Sequence, residues 1–87
     1  MKVLAYGFDD MKPLRWKFGE GEYIDVSGCY TDLIAIPADL VVIRLSKIDA
    51  TALDNVRKYD SETRGLERAK FVYVEDDESR AWQKAIL

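Results

Sequence analysis

Two short acidic segments could supply the ligands of a metal-dependent enzyme. Asp9 and Asp10 follow an apolar run near the start of the sequence, and Glu75 opens the segment EDDE near its end. Carboxylate oxygens are ligands that Mg²⁺ accepts readily, and a phosphoryl-transfer enzyme or nuclease would use Asp9, Asp10 and Glu75 in this way. The alternative, which we favour, is that residues 76–78 cap a helix and complement the positive end of its dipole.

Arg44 interrupts an otherwise apolar segment, DLVVIRL at 39–45. If this segment is an inner strand of a parallel sheet, Arg44 lies at its carboxyl end, where the end of the first strand brings Asp9 and Asp10 close. A guanidinium can pair bidentately with a carboxylate, so one interpretation is an internal ion pair in which a fixed cation takes the place of a metal. In the other interpretation, Arg44 extends over the edge of the sheet and reaches water.

The other residue types argue against several kinds of site. The chain has no histidine and one cysteine, Cys29. We therefore expect neither a zinc site nor an activated nucleophile, and we interpret Cys29 as a buried or tolerated thiol. The glycines of GFDD and SGC lack the spacing of a nucleotide-binding loop. We predict a domain that has no cofactor, no bound metal and no catalytic residues.

Charge and hydropathy limit the partners. The formal net charge is −3 and the isoelectric point is about 4.9, which disfavours binding to the phosphate backbone of nucleic acids. The apolar runs are all shorter than the roughly 20 residues of a membrane span, and the aspartates of MKVLAYGFDD come too early for a secretory signal. We expect a cytoplasmic protein that contacts neither nucleic acid nor membrane.

The first half of the chain has the pattern of two strands and two short helices. KVLAY (2–6) is an apolar run that ends at a glycine, and EYIDVSG (22–28) predicts a second strand. Residues 9–21 between them are interpreted as a short helix or turn with a proline in its first turn, and the alternation in LRWKF leaves a strand as the alternative. YTDLIAI (30–36) predicts a short helix that stops before Pro37.

The second half gives clearer signals. DLVVIRL predicts a strand that is covered on both faces. KIDATALDNVRKY (47–59) predicts a helix with Asp49 as its N-cap and a hydrophobic staple between Ile48 and Leu53. KFVYV (70–74) predicts a fourth strand. Alternating strands and helices predict one small α/β domain over residues 1–87, of two or three layers, with a mainly parallel four-stranded sheet in the order 2-1-3-4.

A final helix is predicted over ESRAWQKAIL, with Asp76 or Asp77 as its cap. Its apolar residues lie on one side and comprise Ala81, Trp82, Ala85 and Ile86. We expect three aromatic residues of the first half, Trp16, Phe18 and Tyr30, to fill the core, with an exposed partner-binding patch as the alternative.

The order of these segments resembles that of response-regulator receiver domains, which have a flavodoxin-like fold. In that family a third strand of the type DLVLLD ends in the phosphorylated aspartate. A helix, a fourth strand that ends in serine or threonine, and another helix follow. DLVVIRLSKIDATALDNVRKY and KFVYVEDDESRAWQKAI have the same order and spacing here, and VLAYGFDD resembles the first strand with its acidic pair, Asp9 and Asp10.

The positions that depart from the receiver pattern are those that take part in phosphorylation. Arg44 stands at the position of the phosphorylated aspartate, Glu75 at that of the serine or threonine, and the fifth strand with its lysine is missing. The resemblance therefore implies a truncated, degenerate receiver-like domain that is silent to phosphorylation. Arg44, Asp9, Asp10 and Glu75 would form its pseudo-active site.

We accordingly expect a non-catalytic regulatory or protein-interaction domain. The alternatives are a subunit or excised domain of a larger assembly and the Mg²⁺-dependent enzyme described above. A small sheet with few helices should leave an apolar face or an edge strand open. We predict a protein partner, in particular a homodimer, that is contacted through Trp82 and Ile86 of the last helix or through Phe71 and Tyr73 of the fourth strand.

Overall fold

The computed structural model describes residues 1–28, 30–66 and 68–86. Cys29, which we interpreted as a buried or tolerated thiol, lies outside the described residues.

Four strands of the described chain form one sheet. β1 is Lys2–Tyr6, β2 is Glu22–Asp25, β3 is Leu40–Arg44 and β4 is Lys70–Val74. All neighbouring pairs are parallel, and the order is β2-β1-β3-β4. A parallel pair needs a crossover connection, which the helices between the strands provide. The predicted α/β fold and strand order are therefore confirmed.

Strand β3 is buried on both faces because its side chains alternate between two core clusters. Val42 packs with residues of β1 and β4 on one face, and Val41 and Ile43 pack on the opposite face. These three side chains are fully buried. Burying a side chain of this size stabilises the fold by about 1.5–3 kcal/mol relative to exposing it. This explains why the most apolar run of the sequence takes an inner position.

Four helices of the described chain cover the sheet in two layers. They are α1 (Lys12–Phe18), α2 (Asp32–Ala35), α3 (Ala50–Glu62) and α4 (Asp76–Ala85), and a 3-10 turn spans Leu45–Lys47. Leu14 of α1 and Trp82 of α4 belong to one core cluster, and Leu33 of α2 and Val56 of α3 belong to the other. The domain thus has three layers. Of the two expectations, an open apolar face or an open edge strand, the open face was wrong, because α4 crosses to the side of α1. Strands β2 and β4 remain at the edges.

The segment after β1 forms a helix rather than the alternative strand. Pro13 lies in the first turn of α1, where its missing N–H costs nothing. The helical period turns Leu14 inward and leaves Trp16 53% exposed. Phe18 packs edge-on against Trp82, with 5.7 Å between ring centroids. The expectation of a core position is therefore wrong for Trp16, and Phe18 and Tyr30 are both half-buried neighbours of the core.

Strand β2 ends at Asp25, before the predicted end at Gly28, because side chains form hydrogen bonds with the backbone there. Asp25 Oδ1 accepts hydrogen bonds from the N–H and the hydroxyl of Ser27, at 2.9 and 2.6 Å. Ser27 Oγ in turn accepts the N–H of Gly7 at 2.8 Å. Such local bonds compete with the strand ladder and produce a turn.

Helix α3 begins as the sequence predicts. Asp49 Oδ1 accepts the N–H of Ala52 at 2.8 Å, and both members of the predicted staple, Ile48 and Leu53, join the same core cluster. The helix continues to Glu62, beyond the predicted end at residue 59.

Helix α4 starts earlier than predicted. Glu75 is its N-cap, without a side-chain capping bond, so the prediction that Asp76 or Asp77 caps the helix was wrong. The acids at 76–78 occupy the first turn instead, where they complement the helix dipole. The buried residues of α4 are Ser79 and Trp82, whereas Ala81, Ala85 and Ile86 are exposed.

Replacing Asp49 with alanine removes the acceptor at the start of α3. We expect Asp49→Ala to lower the free energy of unfolding by about 1 kcal/mol, measured by urea denaturation. Asp54→Ala is the control, because Asp54 is an exposed residue inside the same helix and its loss should cost less than about 0.5 kcal/mol. Equal losses in the two variants would contradict the capping role of Asp49.

Candidate functional site

The carboxyl end of the sheet is the place where open α/β sheets bind ligands, and here it is closely packed. Gly7 follows β1 with φ of 88°, a backbone conformation that favours glycine. A Cβ atom on Gly7 would lie 2.6 Å from Lys47 Cβ and 3.1 Å from Arg44 Cβ. The 3-10 turn after β3 therefore packs directly over the end of β1. A side chain at position 7 would clash with this turn.

Arg44 is held by the first residue of α4. Its Nε donates to Asp76 Oδ1 at 2.9 Å, and Ser46 Oγ donates to the same oxygen at 2.7 Å. In the β3–β4 register Arg44 stands beside Val74, only two positions before Asp76. The strand pairing thus brings the carboxylate to the guanidinium.

Asp9 and Asp10 do not take the position that the sequence analysis gave them. Both are exposed, and Asp10 Oδ1 accepts the N–H of Lys12 at 2.9 Å at the start of α1. The ion pair of Arg44 within the described residues is with Asp76, so the predicted partners of Arg44 were wrong. The alternative in which Arg44 simply reaches water was also wrong, because its side chain is only 20% exposed.

Glu75 is exposed at the N-cap of α4. Within the described residues, no three histidine, cysteine, aspartate or glutamate side chains form a group that could hold a metal ion. The structure therefore does not bring Asp9, Asp10 and Glu75 together as a ligand set. Of the four residues of the expected pseudo-active site, only Arg44 is part of the observed cluster, which also contains Ser46 and Asp76.

The contacts of Asp76 favour its charged form. The hydrogen bond from Ser46 and then that from Arg44 hold the pKa of Asp76 below its usual value. A carboxylate with a depressed pKa stabilises the folded state above its ordinary pKa, and this contribution is lost as the pH falls through the folded-state pKa. At neutral pH the cluster is consequently an ionised pair that joins β3 to α4.

A second polar cluster, which the sequence analysis missed, lies on the other face near the start of β4. Asp60 of α3 is only 8% exposed. Its Oδ1 accepts a hydrogen bond from Arg68 Nη2, and its Oδ2 accepts one from the Tyr73 hydroxyl at 3.0 Å. Asp60 follows Val56 by four residues and therefore lies on the apolar face of α3, which is the signal that could have identified it.

The same cluster changes the pKa of Tyr73. Burial, followed by the hydrogen bond to Asp60 and the charge of that carboxylate, raises the pKa of Tyr73 to about 12. The phenol is therefore neutral at ordinary pH and acts as a hydrogen-bond donor. The cluster connects α3 to β4 through a carboxylate that would be costly to bury alone.

The residues expected at a partner interface differ in their exposure. Trp82 is buried in the core, so the prediction that it contacts a partner was wrong, whereas Ile86 is 36% exposed. Phe71 and Tyr73 are half-buried on β4, where Arg57 lies over the Tyr73 ring at 5.4 Å. Strand β4 is at the edge of the sheet.

Comparison with known proteins adds no relationship: no family model, curated protein or solved structure matches the chain significantly. Among the described residues, no helix is long and apolar enough to cross a membrane.

The role of the Arg44–Asp76 pair can be measured with a double-mutant cycle of alanine substitutions. We expect a stabilising coupling at neutral pH that disappears in acid, as Asp76 is protonated. The cycle for Arg80 and Asp77 is the control, because those side chains are 64% and 90% exposed and exposed pairs contribute little. Urea denaturation gives the coupling free energies. A coupling for Arg44–Asp76 no larger than that of the control would contradict the proposed link between β3 and α4.

Proposed function

We propose that the chain is a non-catalytic regulatory or protein-interaction domain, with a receiver-like shape and without a phosphoacceptor aspartate. The observation that carries this proposal is the contact between Arg44 and Asp76, 2.9 Å apart at the carboxyl end of β3. A catalytic cation or metal site at this end would need carboxylates that are free to bind it. Here the chain's own guanidinium and the Ser46 hydroxyl already bind Asp76.

The resemblance to receiver domains relates this contact to the position of the phosphorylated aspartate. In that family the residue at the end of the third strand accepts a phosphoryl group on a carboxylate. Arg44 has no carboxylate, and its charge is permanent at physiological pH. Packing of Lys47 over Gly7 also fills the space above β1. The proposal includes a cytoplasmic location and a protein rather than a nucleic-acid partner, in keeping with the acidic net charge of −3.

Incubation with acetyl phosphate and Mg²⁺ tests the absence of phosphoacceptor chemistry. We expect the intact mass of the protein to stay unchanged, because Arg44 replaces the acceptor and its neighbour Asp76 is already bound. A receiver domain with an intact acceptor aspartate serves as the positive control. A stoichiometric gain of one phosphoryl group by this protein would overturn the proposal.

The partner that the geometry favours is a second copy, bound through the edge of β4. The two edges of the sheet differ in their protection. Strand β2 has four residues and carries acids at both ends, Glu22 and Asp25, which discourage pairing with another strand. Strand β4 has a single charged residue, Lys70, followed by FVYV. The β4 edge is therefore the less protected of the two.

Backbone geometry defines how a second copy would pair. The N–H of Lys70 donates to Asp39 O at 3.1 Å, so Lys70, Val72 and Val74 turn their backbone groups towards β3. Phe71 and Tyr73 turn theirs outward. A two-fold axis at Val72 places Phe71 opposite Tyr73 of the second copy, which satisfies these outward groups in an antiparallel ladder. Each copy presents the same surface, as a closed dimer requires.

A charge at the centre of this ladder should prevent the dimer. Val72→Lys places two lysines opposite each other across the axis, where like charges repel. We expect the wild type to sediment as a dimer at micromolar concentration and Val72→Lys as a monomer.

Ile24→Lys is the matched control, because Ile24 is also a half-buried residue in the middle of an edge strand. This variant should remain dimeric, with both variants checked for folding by circular dichroism. A monomeric wild type, or a dimer that Val72→Lys leaves intact, would refute pairing through β4.

A second candidate function, a subunit of a larger assembly, is favoured by a different surface. Trp16 on α1 is 53% exposed, and tryptophan is enriched among the residues that contribute most to protein interfaces. It lies on the face opposite α2 and α3, so a partner could cover it independently of the β4 edge. Sedimentation of the wild type over a range of concentrations would separate the two functions, because a homodimer forms from this chain alone, whereas a subunit of a larger assembly stays monomeric without its partners.

A further inference from the structure

A groove of about 460 Å³ opens at the amino end of the sheet, on the face of α2 and α3. It lies between the segment that joins α2 to β3 and the residues that precede β4. Its volume is within the range of roughly 300–1,000 Å³ that is usual for small-molecule sites. The groove is on the far side of the domain from Arg44 and Asp76, so it is independent of that ion pair.

The walls of the groove combine apolar and polar surface in similar amounts. Leu33 and Ile36 come from α2 and its end, Pro37 from the following connection, and Phe71 from β4. Phe71 packs against Tyr59, with 6.0 Å between their ring centroids. An aromatic or aliphatic group of a ligand could be buried against these side chains.

Three polar side chains also line the groove, namely Asp39, Tyr59 and Arg68. Asp39 Oδ2 accepts the N–H of Lys2 at 2.7 Å, which leaves Oδ1 without a bond to the described residues. The Tyr59 hydroxyl likewise makes no hydrogen bond to the part of the chain that the structure describes. A cavity that offers both apolar walls and a few converging polar groups is the usual form of a specific ligand site.

Arg68 offers a donor with a defined position. Its Nε donates to Thr63 O at 3.2 Å, its Nη1 to Ala69 O, and its Nη2 to Asp60. The second hydrogen of Nη1 has no acceptor among the described residues. Because the other bonds hold the guanidinium rigidly, and its side chain is only 16% exposed, this N–H is a fixed donor rather than a mobile surface charge.

The charges around the groove select the polar group of the ligand. Asp60 already neutralises Arg68, so a ligand carboxylate would gain little from the guanidinium while approaching the carboxylate of Asp39. An ammonium group could not accept the N–H of Arg68. An amide meets both requirements, because its oxygen can accept from Arg68 and its N–H can donate to Asp39. The two residues are neighbours, since Arg68 binds Ala69 O, and Asp39 and Ala69 precede the paired residues Leu40 and Lys70.

We propose that this groove binds a small molecule that has an aromatic or aliphatic body and carries a neutral amide group. The apolar part lies against Phe71 and the end of α2, and the amide bridges Arg68 and Asp39. Such a site would give the domain a ligand to which a regulatory module could respond.

Three probes with the same phenylpropyl body test the proposal, namely 3-phenylpropanamide, 3-phenylpropanoate and 3-phenylpropylamine. Amide NMR titrations of the full chain measure binding and locate it. We expect the amide to shift the signals of residues that line the groove, at millimolar concentration. The carboxylate and the amine should bind about threefold to tenfold more weakly, since each loses one hydrogen bond.

Two variants test the location. Ala35→Phe places a ring in the groove, because Ala35 is an exposed residue of its wall. Ala81→Phe is the control, because Ala81 is an exposed alanine on α4, on the opposite face. We expect Ala35→Phe to abolish binding of the amide and Ala81→Phe to preserve it.

Several outcomes would overturn the proposal. One is equal binding of the three probes, which would indicate apolar adsorption without recognition of the amide. Another is unchanged binding to Ala35→Phe. A third is that the groove signals move on dilution of the protein alone and do not respond to the probe, in which case a second copy, rather than a ligand, covers the groove.

Discussion

Strand β3 is the element on which the other parts of the structure depend, because it is buried on both faces and paired on both sides. Val41, Val42 and Ile43 are fully buried. Exposing a side chain of this size lowers the stability of the fold by about 1.5–3 kcal/mol. A strand with these residues needs a neighbouring strand on each edge and a helix layer on each face. The positions of β1, β4 and all four described helices follow from that requirement.

The burial of β3 ends at its last residue, Arg44, which is only partly buried. Its guanidinium leaves the apolar layer and meets Asp76 at the start of α4. The ion pair therefore connects the centre of the sheet with the last helix, and the acids of the first turn of α4 also complement the helix dipole. A carboxylate used in this way is less available for metal or phosphate chemistry, so the same contact that supports the fold carries the functional proposal.

At the opposite end of the domain, another charged side chain is stabilised by polar partners. Asp60 lies on the buried face of α3 and would be costly there without partners, and Arg68 and Tyr73 supply them. Because Arg68 is also bonded to the backbone of its own segment, it is fixed at the wall of the groove, and one N–H of its guanidinium has no acceptor among the described residues. Satisfying one buried charge thus creates a defined polar position beside an apolar groove.

The strands, their order and the start of α3 could be predicted from the sequence, because β-branched runs and the Asp49 cap act over a few neighbouring residues. The same patterns place Arg44 at the end of an inner strand. The acid that neutralises Arg44 could not be predicted in this way. Asp9, Asp10 and Asp76 all lie at the same end of the sheet, and the choice depends on the β3–β4 register and on the side to which α4 turns. Both are set by packing between segments distant in sequence, which local patterns do not encode.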